Sequence, residues 1–360
     1  MLEIVTRRMV SVKQLFAGVT LLAITVWIYL LLTARPCTVL QVRPSFLTPT
    51  SKRVIEFKAE SNISKVNVFE KIVSKFLNST NSSNICAGCD EAVLEPFLED
   101  LLRGIKDKLA SVKKIVSVLS QPVVNPHNHT YLYNPRLTCS KRVVHLLIVV
   151  PSATGNFIKR AKVRNSSRSE YVRVDSHNAR MLFFIGGAKS KIEQVKIDAE
   201  AKLYGDIVQE NYADVYKNIR TKAVSMLKWA SQFCENAKFV IRTDDDVAIN
   251  VTKLVSILET TKSQIDNFIL GRVKVRNKPL RNPKNKYYLS TEEFPDEIFP
   301  PFALGGLLGF PMSSVKLLYQ AALRIKPIWL DDVYVTGICA PQVAVTLVNN
   351  REFDFKHWSW

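Results

Sequence analysis

Acidic residues are scarce in this chain of 360 residues: 32 Asp and Glu face 50 Lys and Arg, and the formal net charge is +18. A basic balance of this size is typical of proteins that bind nucleic acid. The sequence, however, has no recognised nucleic-acid motif, and its first segment indicates a secretory address. We therefore exclude nucleic acid as a partner and expect a basic surface, part of which faces an anionic ligand or a membrane surface.

Charge is missing altogether from residues 14–34, which are rich in Leu, Val, Ile and Ala. A helix needs about 20 apolar residues to cross a bilayer. The run is longer than the apolar core of a cleaved signal peptide, which has about 7–15 residues. Residues 1–13 carry three basic side chains and one acidic one, so the positive-inside rule places them in the cytosol. We predict a single membrane anchor followed by a luminal chain.

Cysteine is also sparse, and its spacing argues against zinc. Cys86 and Cys89 form the only close pair among six cysteines, without a second pair or a nearby His. We expect disulfides in an oxidising compartment, although spacing does not give their connectivity. Asn-x-Ser/Thr acceptor sequences agree with that compartment, and they occur at Asn62, Asn78, Asn81, Asn128, Asn165 and Asn250. We expect Asn250 to be structural and unglycosylated.

The luminal chain divides into two parts. Residues 35–138 contain early prolines and a cluster of Asn and Ser, which is typical of a stem. Helical periodicity at residues 97–109 predicts a helix. This helix either packs on the following domain or pairs with another chain, and in the second case the protein forms a dimer. There is no internal repeat. We place the folded domain at residues 139–360.

Strands and helices alternate along this domain. Residues 143–150 form a continuous apolar run typical of a strand buried on both faces, and residues 181–185 form a second. Helical patterns follow at residues 192–203 and 219–233. This alternation predicts an α/β fold with a mostly parallel sheet and helices on both faces, which binds ligands beyond the carboxyl ends of its strands.

Three consecutive carboxylates, Asp244, Asp245 and Asp246, follow the apolar strand at residues 239–241. Hard cations such as Mg²⁺ and Mn²⁺ use one or two protein carboxylates and leave positions for phosphate oxygens. The spacing of Asp244 and Asp246 lets one carboxylate hold a metal while the other reaches a ribose or a bound water. The alternative is a solvated loop. Residues 247–249 resume the β pattern.

Other candidate residues lie on both sides of the triplet. Arg160 and Arg164, one helical turn apart, are predicted either to meet a pyrophosphate or to be surface charge. Prolines and glycines at residues 300–306 suit a close-walled pocket where the backbone approaches a ligand, and Gly305 is a candidate for that ligand contact. Asp331 and Asp332 form a second carboxylate pair, whose alternative reading is a helix N-terminal cap.

Several blocks taken together resemble the inverting β-1,3-galactosyltransferase family, whose other members transfer N-acetylglucosamine or N-acetylgalactosamine. The matching blocks occur in the family's order at residues 156–164, 204–209, 214–222, 242–247, 300–305 and 331–334. They cover about residues 143–340, and the ordered set is far more specific than any single block. Ser167 and Ala248 depart from the family pattern, which leaves the sugar identity open.

The resemblance implies a GT-A fold and a type II membrane protein of the Golgi apparatus. It implies UDP-galactose or a UDP-N-acetylhexosamine as donor, Mn²⁺ with Mg²⁺ as the alternative ion, and a glycan acceptor on a glycoprotein or glycolipid. Asp244 and Asp246 would hold the metal and the ribose, supported by Asp245, and Arg160 and Arg164 would lie near the nucleotide.

On the same resemblance, Asp332 is the general base, with Asp331 as its supporting partner or alternative. The rival class is a secretory-pathway lectin that binds Ca²⁺ through the acidic triplet. Ca²⁺ sites draw on six to eight oxygens, for which a triplet at a strand end is a poorer match.

Overall fold

The computed structural model describes residues 91–140 and 143–355, with side chains from residue 103 onward. The predicted tail, the anchor at residues 14–34 and most of the stem lie outside this range, as do Cys37, Cys86 and Cys89. No helix within the described ranges has the length and apolar character needed to cross a membrane.

A mixed sheet of eight strands forms the centre of the fold. The strands are β1 (Tyr131–Tyr133), β2 (Leu146–Pro151), β3 (Ala179–Gly187), β4 (Ile207–Ala213), β5 (Phe239–Thr243), β6 (Phe268–Gly271), β9 (Leu307–Pro311) and β10 (Thr346–Asn349), while β7 (Val273–Lys274) and β8 (Phe302–Ala303) form a separate pair. The order is β1-β4-β3-β2-β5-β9-β6-β10. Strands β4, β3, β2 and β5 are mutually parallel, as are β6 and β10, whereas β9 runs antiparallel between β5 and β6. The predicted α/β fold with a mainly parallel sheet is confirmed.

Helices connect most of these strands. They are α1 (Glu91–Leu119), α2 (Phe157–Arg164), α3 (Ser167–Arg173), α4 (Lys191–Tyr204), α5 (Ile219–Phe233), α6 (Val251–Gln264), α7 (Met312–Ala322), a π-helix (Val333–Cys339) and the single turn α8 (Ala340–Gln342). Local sequence sets several of the ends. For example, the Ser190 hydroxyl accepts a hydrogen bond from the amide of Glu193 at the start of α4, and Gly205 ends this helix with φ 63°.

Two apolar layers cover the faces of the sheet, and the two-residue period of the strands sorts side chains between them. Along β2, Leu147 and Val149 enter one layer while Leu146 and Ile148 enter the other. The first layer includes residues of α5, α7 and the π-helix, and the second includes residues of α6. Continuous apolar strands of this kind are the ones the sequence predicted.

The folded part begins before the predicted boundary at residue 139. Ile115 and Val118 of α1 are buried in the first apolar layer, and β1 joins the edge of the sheet. A disulfide joins Cys139 to Cys234 across 95 residues, tying the segment before β2 to the end of α5. The carboxyl-terminal part of the predicted stem therefore belongs to the core.

The strand order creates a crevice beside β2. The chain passes from β2 through β3 to β4 on one side and then returns to place β5 on the other side of β2. Open sheets bind ligands where the order reverses in this way, beyond the carboxyl ends of the strands. The loops that follow β2 and β5 meet at this point.

Candidate active site

The acidic triplet begins directly after β5, at the crevice. Asp245 points inward, where its Oδ2 atom accepts hydrogen bonds from the Ser152 hydroxyl at 2.7 Å and from the Asn156 amide at 2.9 Å. The side chains of Asp244 and Asp246 are 39% and 58% exposed. One carboxylate therefore fixes the loop while its two neighbours face the crevice.

The backbone of this loop is held from two directions. The Asp244 amide donates to the carbonyl of Gly306 at 3.1 Å. The buried guanidinium of Arg168 donates to the carbonyl of Asp244 at 3.2 Å and to that of Val247. Residues 247–249 consequently turn toward α6 instead of resuming a strand, so that part of the sequence prediction is wrong. Asn250 is exposed, and its side chain caps α6 by accepting from the Lys253 amide.

A side-chain cation lies against the triplet. The Lys159 ammonium is 2.9 Å from Asp246 Oδ2 and 3.5 Å from Asp245 Oδ1, and the hydrogen bond to Asp246 is the main reason that the pKa of Lys159 is raised. Lys159 is half exposed, so its long side chain has room to leave. The contact shows that the outward carboxylate oxygens accept a positive charge.

Negative charge is concentrated around Asp244. Partial burial raises the pKa of this carboxyl to about 7 against the opposing effect of Arg242, and the charges of Asp331, Asp246 and Asp245 raise it further. Across the described residues, no three Asp, Glu, His or Cys side chains form a ready metal cage. Two outward carboxylates nevertheless fit Mg²⁺ or Mn²⁺, since these ions take one or two protein carboxylates together with phosphate oxygens and water.

An ion pair connects β5 to the second carboxylate pair. Arg242 lies inside β5, is almost fully buried, and places its Nη1 atom 2.8 Å from Asp331 Oδ2. Its Nη2 atom is 3.8 Å from Asp244 Oδ1. One guanidinium therefore links the acidic triplet to the start of the π-helix, and the two acidic stretches predicted from sequence lie in the same site.

Asp332 caps the π-helix by accepting a hydrogen bond from the Val333 amide at 2.8 Å. The capping role that the sequence offered as the alternative is thus present. Burial raises the pKa of Asp332 to about 7, and the negative charge of Asp331 adds to this, while the Val333 amide and Arg242 oppose it. A carboxylate that titrates near neutral pH suits proton transfer, so capping does not exclude a second role.

Gly305 contacts this ion pair instead of an open pocket. A Cβ atom at Gly305 would lie 2.7 Å from Arg242 Nη1 and 3.3 Å from its Cζ atom. The predicted close approach is therefore real, but the group that approaches is the guanidinium. Gly305 makes room for Arg242, while its contact with a ligand stays a prediction.

Arg160 and Arg164 are committed to internal ion pairs. Arg160 has no exposed surface, and its Nε and Nη2 atoms donate to the Glu200 carboxylate at 2.7–3.1 Å, with further bonds to the carbonyls of Ala153 and Thr154. Arg164 donates to Asp206 at 2.8 Å and to Glu200 at 2.7 Å.

Both predictions for these arginines need correction. Neither pyrophosphate contact nor plain surface charge describes them, because Arg160 is buried and Arg164 has a side chain only 11% exposed. The pair fastens α2 to α4, and through the bond from Arg160 Nη1 to Ser152 at 3.2 Å it also supports the loop that holds Asp245.

A group of aromatic and lysine side chains lies near the acidic pair, since Trp329 precedes Asp331 by two residues. We call them the aromatic–lysine cluster, which consists of Tyr216, Lys217, Lys286, Tyr287 and Trp329. Ring centroids of Tyr216 lie 5.9 Å from Trp329 and 6.2 Å from Tyr287. The two ammonium groups sit over ring faces, that of Lys217 at 3.6 Å from Trp329 and that of Lys286 at 4.1 Å from Tyr216.

The family model described as galactosyltransferase matches residues 159–351, which is more than half of the chain. This chain belongs to the galactosyltransferase family. As a member of this family it is a hexosyltransferase, and the matched range contains both the acidic triplet and the second carboxylate pair.

Relatives of this galactosyltransferase-family member carry a more specific name. The chain is 27% identical over 236 residues to mouse (Mus musculus) beta-1,3-galactosyltransferase 1, covering 65% of this chain and 71% of the relative. It is 29% identical over 227 residues to human (Homo sapiens) beta-1,3-galactosyltransferase 5, covering 63% and 72%. Among solved structures, a mannosyltransferase from Pyrobaculum calidifontis in complex with GDP-Man and Mn²⁺ aligns over 69% of this chain and 66% of its own chain. The sequence identity is 12% and the TM-score is 0.35, so this likeness is weak. The resemblance stated from sequence is confirmed at the level of the family.

Sequence reasoning missed several residues of this site. An arginine inside the apolar strand at residues 239–243 was a visible signal for Arg242, because a buried charge requires a partner. Ser152 and Asn156 carried a weaker signal, as polar residues in the turn after the first buried strand. Nothing in the sequence distinguished Arg168 or Lys159 from other basic residues, since their partners lie about 80 residues away in the chain.

Proposed function

We propose that this member of the galactosyltransferase family moves galactose from UDP-galactose to a hydroxyl of a glycan, with inversion and in β-1,3 linkage. The observation that carries the proposal is that one buried guanidinium joins the two acidic stretches. Arg242 lies 3.8 Å from Asp244 and 2.8 Å from Asp331, which Asp332 follows directly in the chain. The names of the relatives favour galactose and this linkage, with N-acetylglucosamine and N-acetylgalactosamine as the alternative sugars.

Asp244 and Asp246 are the residues that would hold Mn²⁺, with Mg²⁺ as the alternative. Their support is the charge concentration described above and the acceptance of a lysine cation by Asp246. When bound, the ion acts as a Lewis acid that neutralises negative charge on the departing diphosphate. Asp245 is directed inward and positions its two neighbours instead of binding the ion.

Asp332 acts as the general base in this proposal. Its free carboxylate oxygen takes the proton of the acceptor hydroxyl as the hydroxyl oxygen forms a bond to the anomeric carbon of the donor. The bond from that carbon to the diphosphate breaks, and its electron pair leaves with UDP. Attack from the face opposite UDP inverts the anomeric configuration. The Val333 amide holds the other oxygen of Asp332, which orients the carboxylate.

Asp331 and Arg242 are positioning residues. Asp331 is buried against the Arg242 guanidinium, so it accepts no proton from the acceptor in this scheme. Its negative charge raises the pKa of Asp332 toward neutrality, which strengthens Asp332 as a base. Arg242 ties the position of the base to that of the acidic triplet, so donor and acceptor sides are fixed relative to each other.

Where the protein works is part of the same proposal. The uncharged run at residues 14–34 supports a signal anchor after a cytosolic tail, and the acceptor sequences for N-glycosylation support a luminal domain. The disulfide between Cys139 and Cys234 fits an oxidising compartment. We propose a type II membrane protein of the Golgi apparatus that acts on glycans of glycoproteins or glycolipids.

A donor panel tests the proposed function. The luminal chain, purified from a secretory host, is incubated with Mn²⁺, a mixture of glycan acceptors and each UDP-sugar in turn, and UDP release and glycan products are measured. We expect UDP-galactose to be consumed fastest and the product linkage to be β-1,3. No turnover of any UDP-sugar, together with Ca²⁺-dependent glycan binding, would contradict the proposal and support the lectin.

The metal assignment is tested with Asp246→Asn. Titration calorimetry with Mn²⁺ and UDP should show weaker binding of both in the variant, and transfer should fall by at least tenfold. Asp266→Asn is the matched control, because Asp266 is a 76% exposed carboxylate with a lysine partner at 3.5 Å, like Asp246 but outside the crevice. Equal Mn²⁺ affinity in Asp246→Asn and wild type would remove Asp246 from the metal site.

A further inference from the structure

The aromatic–lysine cluster lies close to the proposed base. Trp329 precedes Asp331 and Asp332 by two and three residues in the chain. The phenol of Tyr216 has a raised pKa because of burial and its hydrogen bond with Tyr287, and the negative charges of Asp331 and Asp332 raise it further. Lys217 lies 3.6 Å from the Trp329 ring, so the cluster and the acidic pair are neighbours through Trp329.

Hydrogen bonds fix the cluster in place. The Trp329 indole donates to the carbonyl of Tyr288 at 2.9 Å, and the Lys217 ammonium donates to the same carbonyl at 3.2 Å. The Trp329 amide donates to Glu293 Oε1 at 2.9 Å. These bonds join the loop around residue 288 to the segment that leads into the acidic pair.

Arg281 holds the same loop from within. Its Nη1 and Nη2 atoms donate to four backbone carbonyls at 2.7–2.9 Å, those of Leu289, Ser290, Phe294 and Asp296. A loop fixed at this many points keeps Lys286 and Tyr287 in a defined place. The cluster is therefore a built surface and not a chance grouping of mobile side chains.

Lys217 and Lys286 make the outward side of this surface positively charged. The ammonium groups of Lys217 and Lys286 cover faces of Trp329 and Tyr216, so these faces are not open for stacking against a sugar ring. Both lysines are exposed, and in the described part of the chain neither has an acidic side chain within ion-pair distance. Aromatic rings stabilise the ammonium groups in place without neutralising them.

We propose that the acceptor of this enzyme is an anionic saccharide, and that Lys217 and Lys286 bind a carboxylate or sulfate group on or next to the accepting sugar. The inference rests on the proposed function, because it assigns the substrate class of the same site. It adds a specificity surface outside the reacting groups: the two lysines select the acceptor, and Asp332 takes its proton.

Matched acceptors test the inference. An aryl β-glucuronide is compared with the aryl β-glucoside that has the same aglycone, and a 6-sulfated aryl β-galactoside with its unsulfated form. We expect a KM about tenfold lower for the anionic member of at least one pair, with the difference shrinking as salt is raised, as for an exposed ion pair. Preference within the first pair identifies a carboxylate and preference within the second identifies a sulfate.

The double variant that combines Lys217→Met and Lys286→Met provides a second test of the inference. The KM for the anionic acceptor should rise to that for the neutral one, while kcat and the KM for UDP-sugar remain unchanged. Lys316→Met is the control for loss of a lysine elsewhere, since Lys316 lies on α7 outside the cluster with a 42% exposed side chain, 3.4 Å from Glu235. Equal KM values for charged and neutral acceptors in wild type, or an equal loss for both in the double variant, would overturn the inference.

A binding measurement separates this inference from the proposed function. Saturation-transfer NMR detects the glucuronide or the sulfated galactoside on the protein with UDP present and requires no turnover. Binding of the anionic saccharide that is lost in the double variant supports the inference even if every donor fails. Transfer to neutral acceptors without any preference for charge, and without binding of the anionic ones, overturns the inference and leaves the proposed function intact.

Discussion

Removal of the negative charge at Asp331 should shift the pH dependence of transfer to lower pH. Asp331 raises the pKa of Asp332, and Arg242 opposes this effect while it is paired with Asp331. In Asp331→Asn the negative charge that raises the pKa of Asp332 disappears. The positive charge of the Arg242 guanidinium is then no longer balanced by an ion pair. Both changes lower the pKa of Asp332, so its carboxylate persists to lower pH.

The size of the shift follows from the electrostatics of a partly exposed pair. Two unit charges at about 4 Å interact by about 1 kcal/mol in water and by about 4 kcal/mol at an effective dielectric constant of about 20. Asp332 is half-buried, so the change lies between these limits. Because about 1.4 kcal/mol equals one pKa unit, we expect a shift of about one to two pH units.

The assay is a profile of kcat/KM from pH 5 to pH 9, since this ratio reports groups of the free enzyme. In wild type, at Mn²⁺ concentrations that keep Asp244 ionised, the acid limb should lie at about pH 7, the pKa of Asp332. Activity is present above this pH and is lost below it as Asp332 becomes protonated. The variant should keep a larger fraction of its own maximum at pH 6 than wild type does, although that maximum is lower because a weaker base takes the proton.

Stability has to be monitored in the same experiment. Breaking a buried ion pair from one side costs about 3–5 kcal/mol, because Arg242 stays buried without its partner. Circular dichroism at the assay temperature confirms that the variant is folded. Asp331→Glu retains the charge and serves as the control, with an acid limb like that of wild type. An acid limb at the same pH in Asp331→Asn and wild type would refute the assigned coupling.

Two further substitutions test the supporting structure. Arg160→Met should lower the free energy of unfolding by about 3–5 kcal/mol in urea titrations because the buried Glu200 carboxylate loses both donor groups of Arg160, whereas the affinity of the folded protein for UDP should stay within about twofold. A large loss of UDP affinity at unchanged stability would instead mean that Arg160 contacts the donor. Gly305→Ala places a Cβ atom 2.7 Å from Arg242 Nη1, so transfer should fall by at least tenfold, whereas Gly104→Ala, with open space at its Cβ, should leave transfer unchanged. Equal rates for the two alanine variants would contradict the role given to Gly305.

The alternation of strands and helices could be predicted from the sequence because burial of a strand or a helix face leaves a local pattern of apolar residues. Residues 143–150 predicted β2, and residues 192–203 predicted α4, within a few positions of the observed ends. The acidic triplet was placed correctly at a strand exit by the same local pattern. Its position at the crevice followed from the general behaviour of parallel sheets.

Contacts between residues far apart in the chain could not be predicted from the sequence. Arg160 pairs with Glu200 across 40 residues, and Arg242 pairs with Asp331 across a still longer stretch. The helical spacing of Arg160 and Arg164 correctly placed both on one face, but that face meets α4 instead of a ligand. Strand β9 is likewise inserted antiparallel between β5 and β6 by long-range pairing, for which its short apolar sequence gives no direction.

The central claim is that Asp332 removes the proton of the acceptor while the donor is held elsewhere in the site. Its most direct test is Asp332→Asn, which keeps the size of the side chain and an oxygen able to accept from the Val333 amide. We predict that calorimetry gives a Kd for UDP within about twofold of wild type, while transfer falls by about 10²- to 10⁴-fold. Transfer at the wild-type rate in this variant, with UDP bound equally well, would contradict the claim.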